Sequence, residues 1–251
     1  MKRVVVVVFM LFGFIAFSQG ENKTDSKGEK QGEWKKYHKN GMLRYVGSFK
    51  NDKPVGEFKY YYDTGKMQTK MSHKGFGTYS IVYYKTGEVK AVGKYINQVR
   101  DSTWTYYDEE GYKKATEFYK KGLKDKMWYT YFKNGQVAEE KEYVNDFENG
   151  VWNKYEQDGK KKMTATYIDG GLEGKAVYFS LGKRQISGFY YHGLRAGVWL
   201  YFEKDGIKIK KKEEYKNGRR IGANKDDNIE KEPLKPILED FLKPENFMSP
   251  R

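Results

Sequence analysis

The sequence predicts an all-β chain: an elongated single-layer antiparallel sheet of tandem β-hairpin repeats, closed by a short C-terminal helix. Three observations predict it. One aromatic–glycine frame recurs eight times, each unit of about 24 residues carries two turn signals, and the repeated region holds a single proline, Pro54.

The chain begins with Met1-Lys2-Arg3, an apolar run from Val4 to Phe17 and the small-residue step Ala16-Phe17-Ser18 before Gln19. This basic, apolar, small-residue order is that of a secretory signal. The apolar run falls short of the roughly 20 residues needed to span a bilayer. Residues 1–18 are therefore expected to be a signal peptide cleaved near Ser18/Gln19, giving an exported, periplasmic or secreted protein. Residues 19–31 are rich in Gly, Ser, Lys and Glu and read as a flexible lead-in.

The frame fills residues 32–221. An aromatic is followed three residues later by a second aromatic and four later by a glycine. The second aromatics and their glycines are Tyr37 and Gly41, Tyr61 and Gly65, Tyr83 and Gly87, Tyr107 and Gly111, Tyr131 and Gly135, Tyr155 and Gly159, Tyr178 and Gly182, Phe202 and Gly206. Successive glycines are 24, 22, 24, 24, 24, 23 and 24 residues apart, a regularity that chance does not produce. The first aromatic is Trp34, Phe58, Trp104, Trp128, Trp152 or Trp199, so all five tryptophans share one slot. Ser80 and Lys175 hold it in units three and seven, which predicts weak points there. Eight residues after the glycine comes Phe49, Tyr95, Tyr119, Tyr143, Tyr167 or Tyr190; His73 fills this slot in unit two, and Tyr215 is one place late in unit eight.

Each unit reads as a strand carrying the first two aromatics, a tight turn at the frame glycine, a second strand, and an inter-unit turn such as Asn51-Asp52 or Lys121-Gly122. Gly and Asn tolerate the positive φ that such turns demand. Residues three apart in a strand face opposite ways, so Trp34 and Tyr37 belong to different faces. Aromatic ladders are expected on both faces, each ring stacking on the same slot of the next unit. Sixteen strands at about 4.8 Å give a sheet on the order of 75 Å long.

These residues resemble a known family. Tyr45-Val46-Gly47-Ser48-Phe49-Lys50-Asn51 followed by Gly56 is similar to the membrane occupation and recognition nexus (MORN) repeat, with its Tyr-x-Gly-x-aromatic core. The inner glycine recurs as Gly93 and Gly188; Met71, Glu117, Lys141, Ala165 and Lys212 replace it elsewhere. With the strong Trp-x-x-Tyr-x-x-x-Gly frame, that departure resembles the bacterial, antitoxin YwqK-type group of MORN-repeat variants. The resemblance implies a twisted sheet of successive hairpins that serves as a scaffold. It also implies protein or membrane binding, with an antitoxin or immunity-like role for some members.

Residues 222–251 read as a charged linker and then a helix. Leu234, Ile237, Leu238, Phe241 and Leu242 form one apolar helical face, stopped by Pro244. So short a helix must dock to be stable: covering the end or one face of the array is its expected role, and serving as a partner-binding peptide is the alternative.

The remaining composition bounds the function. The chain has no cysteine, which excludes disulfides and thiolate sites. His38, His73 and His192 lie in different units and make no metal triad, and no nucleophile elbow or phosphate loop is present. A non-catalytic protein without cofactor or metal is expected. The two frame aromatics of each unit, Trp and Tyr, are candidate partner-binding rings, because these types dominate interface energetics. Net charge is +14, and Lys210, Lys211, Lys212, Arg219 and Arg220 form a candidate patch for an anionic lipid or acidic glycan. A protein partner is the first expectation; export disfavours nucleic acid.

Overall fold

The computed structural model describes residues 22–222. The expected signal peptide and the C-terminal helix lie outside the described residues. Eight hairpins follow one another in a single antiparallel meander. Their strands are Lys30–Tyr37 with Leu43–Lys50 in unit one and Lys53–Tyr61 with Met67–Lys74 in unit two. Unit three pairs Gly77–Tyr83 with Val89–Ile96, and unit four Val99–Tyr107 with Lys113–Lys120. In unit five the first strand is split, Leu123–Lys124 and Lys126–Tyr131, opposite Val137–Val144. Unit six pairs Phe147–Tyr155 with Lys161–Ile168. Unit seven has a split first strand, Gly171–Leu172 and Gly174–Ser180, opposite Lys183–Tyr191. Unit eight pairs Leu194–Phe202 with Ile209–Lys216, and Arg219–Gly222 adds the last edge.

The two ends of a unit turn by different chemistry. At the frame glycine, His38 N–H donates to the Met42 carbonyl and Gly41 N–H to the His38 carbonyl. This is a three-residue loop whose last residue, Gly41, sits at φ +81°. Six other units repeat the reciprocal pair, with one extra residue, Ile207, in unit eight. That insertion explains the late Tyr215. Between units the turns have two residues, as in Asn51 (φ 51°) and Asp52 (φ 59°) between the paired Lys50 and Lys53. These left-handed pairs match the twist of the flanking strands. Most of these turns also tie to the start of the preceding unit's first strand: Gly122 N–H donates to the Arg100 carbonyl, and Gly170 N–H to the Glu148 carbonyl.

Unit seven departs from the expected register. Its frame turn is the two-residue Leu181-Gly182, because Ser180 pairs Lys183. The unit is one residue shorter, so Ala176, not Lys175, occupies the Trp slot opposite Gly188. Phe179, not Tyr178, becomes its second aromatic. The expected flexible lead-in is also corrected over its described part. Lys23–Thr24 pairs with Lys30-Gln31. The Asp25 carboxylate accepts from Lys27 N–H, Glu29 N–H and the Gln31 amide, and Lys35 N–H donates to Asn22. The segment covers part of the first edge strand, where open backbone groups would otherwise invite pairing.

One face of the sheet carries the Trp slot, and its core is made within a single layer. Phe58, Trp104 and Trp199 are only 1%, 2% and 0% exposed. Each lies on a glycine 11 residues earlier, on the preceding strand. A Cβ at Gly47, Gly93 or Gly188 would sit 2.3, 2.1 or 2.3 Å from atoms of these rings. The Trp104 and Trp199 indole N–H groups close the fit on the Lys94 and Phe189 carbonyls. A left-handed residue two places before the ring, such as Gly56, Ser102 or Gly197, bulges the strand and lays the ring down.

The ring contacts differ from the expected ladder. Rings of one slot in successive units are two strands apart, about 9.6 Å, too far to stack. The aromatic of the intervening strand fills the gap instead. Phe49–Phe58, Tyr95–Trp104, Tyr119–Trp128 and Tyr190–Trp199 meet edge to face at 5.1, 4.9, 5.2 and 5.1 Å. Each such pair contributes about 0.5–1.5 kcal/mol beyond its area. At the junction of units two and three, Met71 faces Ser80, and the buried Ser80 Oγ and His73 Nε2 have no hydrogen-bond partner among the described residues. A large inner residue there goes with a small residue in the Trp slot.

Two glycine substitutions separate backbone from packing. Gly56 has φ +69° and open space where a Cβ would go. Gly56→Ala is expected to lower stability by about 1–2 kcal/mol, the left-handed penalty alone. Gly93→Ala drives a methyl into the Trp104 ring, costs about 3 kcal/mol or more, and exposes the indole. Urea unfolding followed by tryptophan fluorescence checks both; equal costs would refute the ring-on-glycine account.

Candidate interaction surfaces

The ladder face is finished by cations of its own chain. Lys30 lies 5.0 Å from the Trp34 ring and 4.8 Å from Phe49. Lys124 lies 4.7 Å from Trp128 and 4.9 Å from Tyr143, and Arg195 4.2 Å from Trp199 and 5.3 Å from Tyr215. Arg100 covers Tyr119 at 4.1 Å. All four cations stand four residues before the Trp slot, at the start of the strand, so their stems run along the rings. This spacing was legible in the sequence and was not read there. Part of the basic excess is thus a lid on the aromatic core.

Units four and eight repeat one polar network. Arg100 donates to the hydroxyls of Tyr106 (3.0 Å) and Tyr119 (2.5 Å), and Tyr119 donates to Glu117 (2.8 Å). Arg195 donates to Tyr201 (3.3 Å) and Tyr215 (3.2 Å), and Tyr215 to Glu213 (2.9 Å). Burial first, then the bond to Glu117, pushes the Tyr119 phenol well above its ordinary range. Glu213 is 7% exposed yet charged: the Tyr201 hydroxyl, the Lys211 ammonium, Tyr215 and Arg220 hold its carboxyl down to about 2.

The candidate basic patch is divided by strand alternation. Lys211 (3.0 Å) and Arg220 (2.9 Å) turn to the ladder face, where both pair with Glu213. Lys212 pairs across with Leu200, and Arg219 with Lys216, on the opposite face. Lys210 sits at a bulge and is exposed.

The opposite face carries the second aromatics. Tyr37 is half exposed. Tyr129 and Tyr131 stack on one another at 6.4 Å, while the Tyr155 hydroxyl donates to Glu140 (2.6 Å) beside the buried Asn153, so its phenol is pushed up to about 12, burial first. Along the inter-unit edge this face presents an apolar stripe: Val99, Leu123, Val144, Phe147, Ile168, Tyr191 and Leu194. Phe147 is 60% exposed and Tyr191 61%. They are the residues that flank each two-residue turn, as the pairs Val144–Phe147 and Tyr191–Leu194 show. Val99 to Leu194 crosses four units, about 40 Å at the strand spacing. Exposed apolar surface beyond scattered single residues is a candidate interaction surface. The sequence frame hid it, because these positions hold Lys in units one and two and the apolar types begin only with Ile96 and Val99.

Known proteins add the repeat type. The family model described as MORN repeat variant matches residues 30–51, 54–74 and 124–145. Three stretches of the array are thus similar to MORN-type repeats. They cover unit one, most of unit two and unit five. No curated protein matches the chain. A solved structure titled "Crystal Structure of TcdB2-TccC3-TEV" is 11% identical, with 76% of this chain and 13% of that chain covered and a TM-score of 0.16, a likeness that carries no argument. The chain thus spans about an eighth of that protein's length. Among the described residues no group of three or more His, Asp or Glu is placed to hold a metal ion.

Glu213 gives a pH prediction. Its folded pKa is depressed from 4.5 to about 2. Its stabilisation is therefore complete above about pH 4.5 and is lost as pH falls toward 2. Glu213→Gln is expected to lower the melting temperature at pH 7 and to flatten the acid loss over that window. An unchanged acid slope in the variant would show that the carboxylate is not the group that titrates.

Proposed function

We propose that this chain is an exported, non-catalytic repeat scaffold that binds a protein through the face opposite the Trp ladder. The exposed stripe from Val99 to Leu194 carries this reading. Among the described residues the ladder face buries Phe58, Trp104 and Trp199 within its own chain, whereas the stripe is apolar, repeated and exposed. Protein or membrane binding is the general association of MORN-type repeats. Export rests on the signal pattern of residues 1–18. An antitoxin or immunity-like task suits such a scaffold, since a long uncovered stripe can occlude a second protein.

An anionic lipid or acidic glycan is the second reading. Lys212, Lys216 and Arg219, exposed on the same face as the stripe, favour it. Such binding would weaken steeply with ionic strength.

The test is capture from an envelope extract on the immobilised full chain at 0.1 and 0.5 M salt. Phe147→Glu is expected to lose the captured protein at both salt concentrations while its melting temperature stays within a few degrees of the parent. Retention of the same protein by Phe147→Glu rejects the stripe. Capture that vanishes at 0.5 M salt in the parent itself favours the anionic surface.

A further inference from the structure

We propose that unit five holds a slot on the ladder face for a phenol ring, the tyrosine side chain of a partner protein. The repeat itself supplies the template. Two residues after the Trp slot, on the same face, units two and four carry a tyrosine that stacks on the slot ring. Phe58–Tyr60 lie at 6.2 Å and 26°, and Trp104–Tyr106 at 6.3 Å and 29°. Unit six has Lys154 there, and its ammonium lies 4.6 Å from the Trp152 ring. Unit five has Thr130, which is too short to cover Trp128.

One cross-strand neighbour of Thr130 is Ala115, equally small, and the other is Glu139. Together they leave a cleft of about 130 Å³ beside Trp128, walled by Glu117, Glu139, Lys141 and Tyr143. That volume is comparable to the roughly 150 Å³ of an engineered cavity that takes up benzene. The inner slot contributes to the opening. Where Gly93 and Gly188 seat Trp104 and Trp199 fully, Glu117 occupies the same place before Trp128, whose ring is only partly buried.

The surroundings select a phenol rather than a plain apolar group. In unit four the Tyr106 hydroxyl accepts from Arg100, four residues before Trp104. Lys124 stands four residues before Trp128, with its ammonium 4.7 Å from the ring. A phenol stacked on Trp128 as Tyr106 stacks on Trp104 would bring its hydroxyl toward Lys124, with the Glu117 and Glu139 carboxylates at the rim as acceptors. Apolar side chains satisfy neither. Indole pockets ringed by polar groups are where interface energy concentrates.

The slot lies on the face opposite the stripe, so the two readings fail separately. The probe is N-acetyl-tyrosinamide, titrated into the full chain and followed at the Trp128 indole N–H by NMR, with N-acetyl-leucinamide and methyl β-glucoside as matched controls. Saturable shifts centred on Trp128, Thr130 and Ala115, with the leucine amide at least tenfold weaker, are expected. Thr130→Tyr fills the slot from within the chain: it should abolish the shifts and raise the melting temperature. Phe147→Glu should leave them unchanged. No saturable shift with the tyrosine amide, or equal binding of the leucine amide, overturns the proposal. Preferential binding of the glucoside also overturns it and assigns the slot to a sugar. If Thr130→Tyr does not fold, the selectivity among the three probes on the parent chain still decides.

Discussion

A sheet of one layer has nothing to pack against, so its hydrophobic core must be made inside the layer. This constraint governs the rest of the array. A large ring can be removed from water there only by lying flat on the backbone of the adjacent strand, and a flat ring leaves no room for a Cβ beneath it. Gly47, Gly93 and Gly188 are where that room exists, and Phe58, Trp104 and Trp199 are the rings that use it. The bulge two residues ahead of the ring, the edge-to-face partner from the preceding strand and the cation four residues back all serve the same end. They tilt the ring down, close one side and cover its top.

The same constraint explains where the repeat departs from its own pattern. Met71 and Ser80 exchange the large and small members across one junction, and Ala165 and Ala176, both buried, do without a ring at another. Units three and seven, where weak points are expected, therefore differ from one another. Unit three buries the hydroxyl of Ser80 and a ring nitrogen of His73 with no protein partner among the described residues. Unit seven packs tightly, with Ala176 0% and Val177 7% exposed, and differs mainly in its shorter turn.

Much of the architecture was legible from spacing alone. The frame glycines fell at the hairpin turns because a three-residue loop needs a left-handed residue at a fixed place, and Gly41 or Gly135 announces it. The ring packing was not legible in that frame. Reading slot against slot, 24 residues apart, misses the relation that matters, which is 11 residues long and crosses from one unit to the next. The inner Gly was seen as a family mark rather than as the seat of the following ring. The basic patch illustrates a second limit. Lys210 to Lys212 are adjacent in sequence, yet alternation and a bulge send Lys211 to Glu213 on one face and Lys212 to the other. Likewise Ser180-Leu181-Gly182 hides a turn one residue shorter than its counterparts, and this displaced the Trp slot of unit seven from Lys175 to Ala176.

The division of labour between faces follows from the ring geometry. Where the rings lie down, the tyrosines and cations that strand alternation places on the ladder face cover them, as Tyr190 and Arg195 cover Trp199. The opposite face receives no rings from the Trp slot. At the two-residue turns Val144, Phe147 and Leu194 stay exposed among the described residues. An array that solves its core on one side thus leaves apolar surface on the other at intervals set by the strand spacing. Extending the array by one unit lengthens that stripe by about 10 Å without altering either face. Reach and contact area then scale with the number of units, which is the property a repeat scaffold offers and a globular domain of the same size does not.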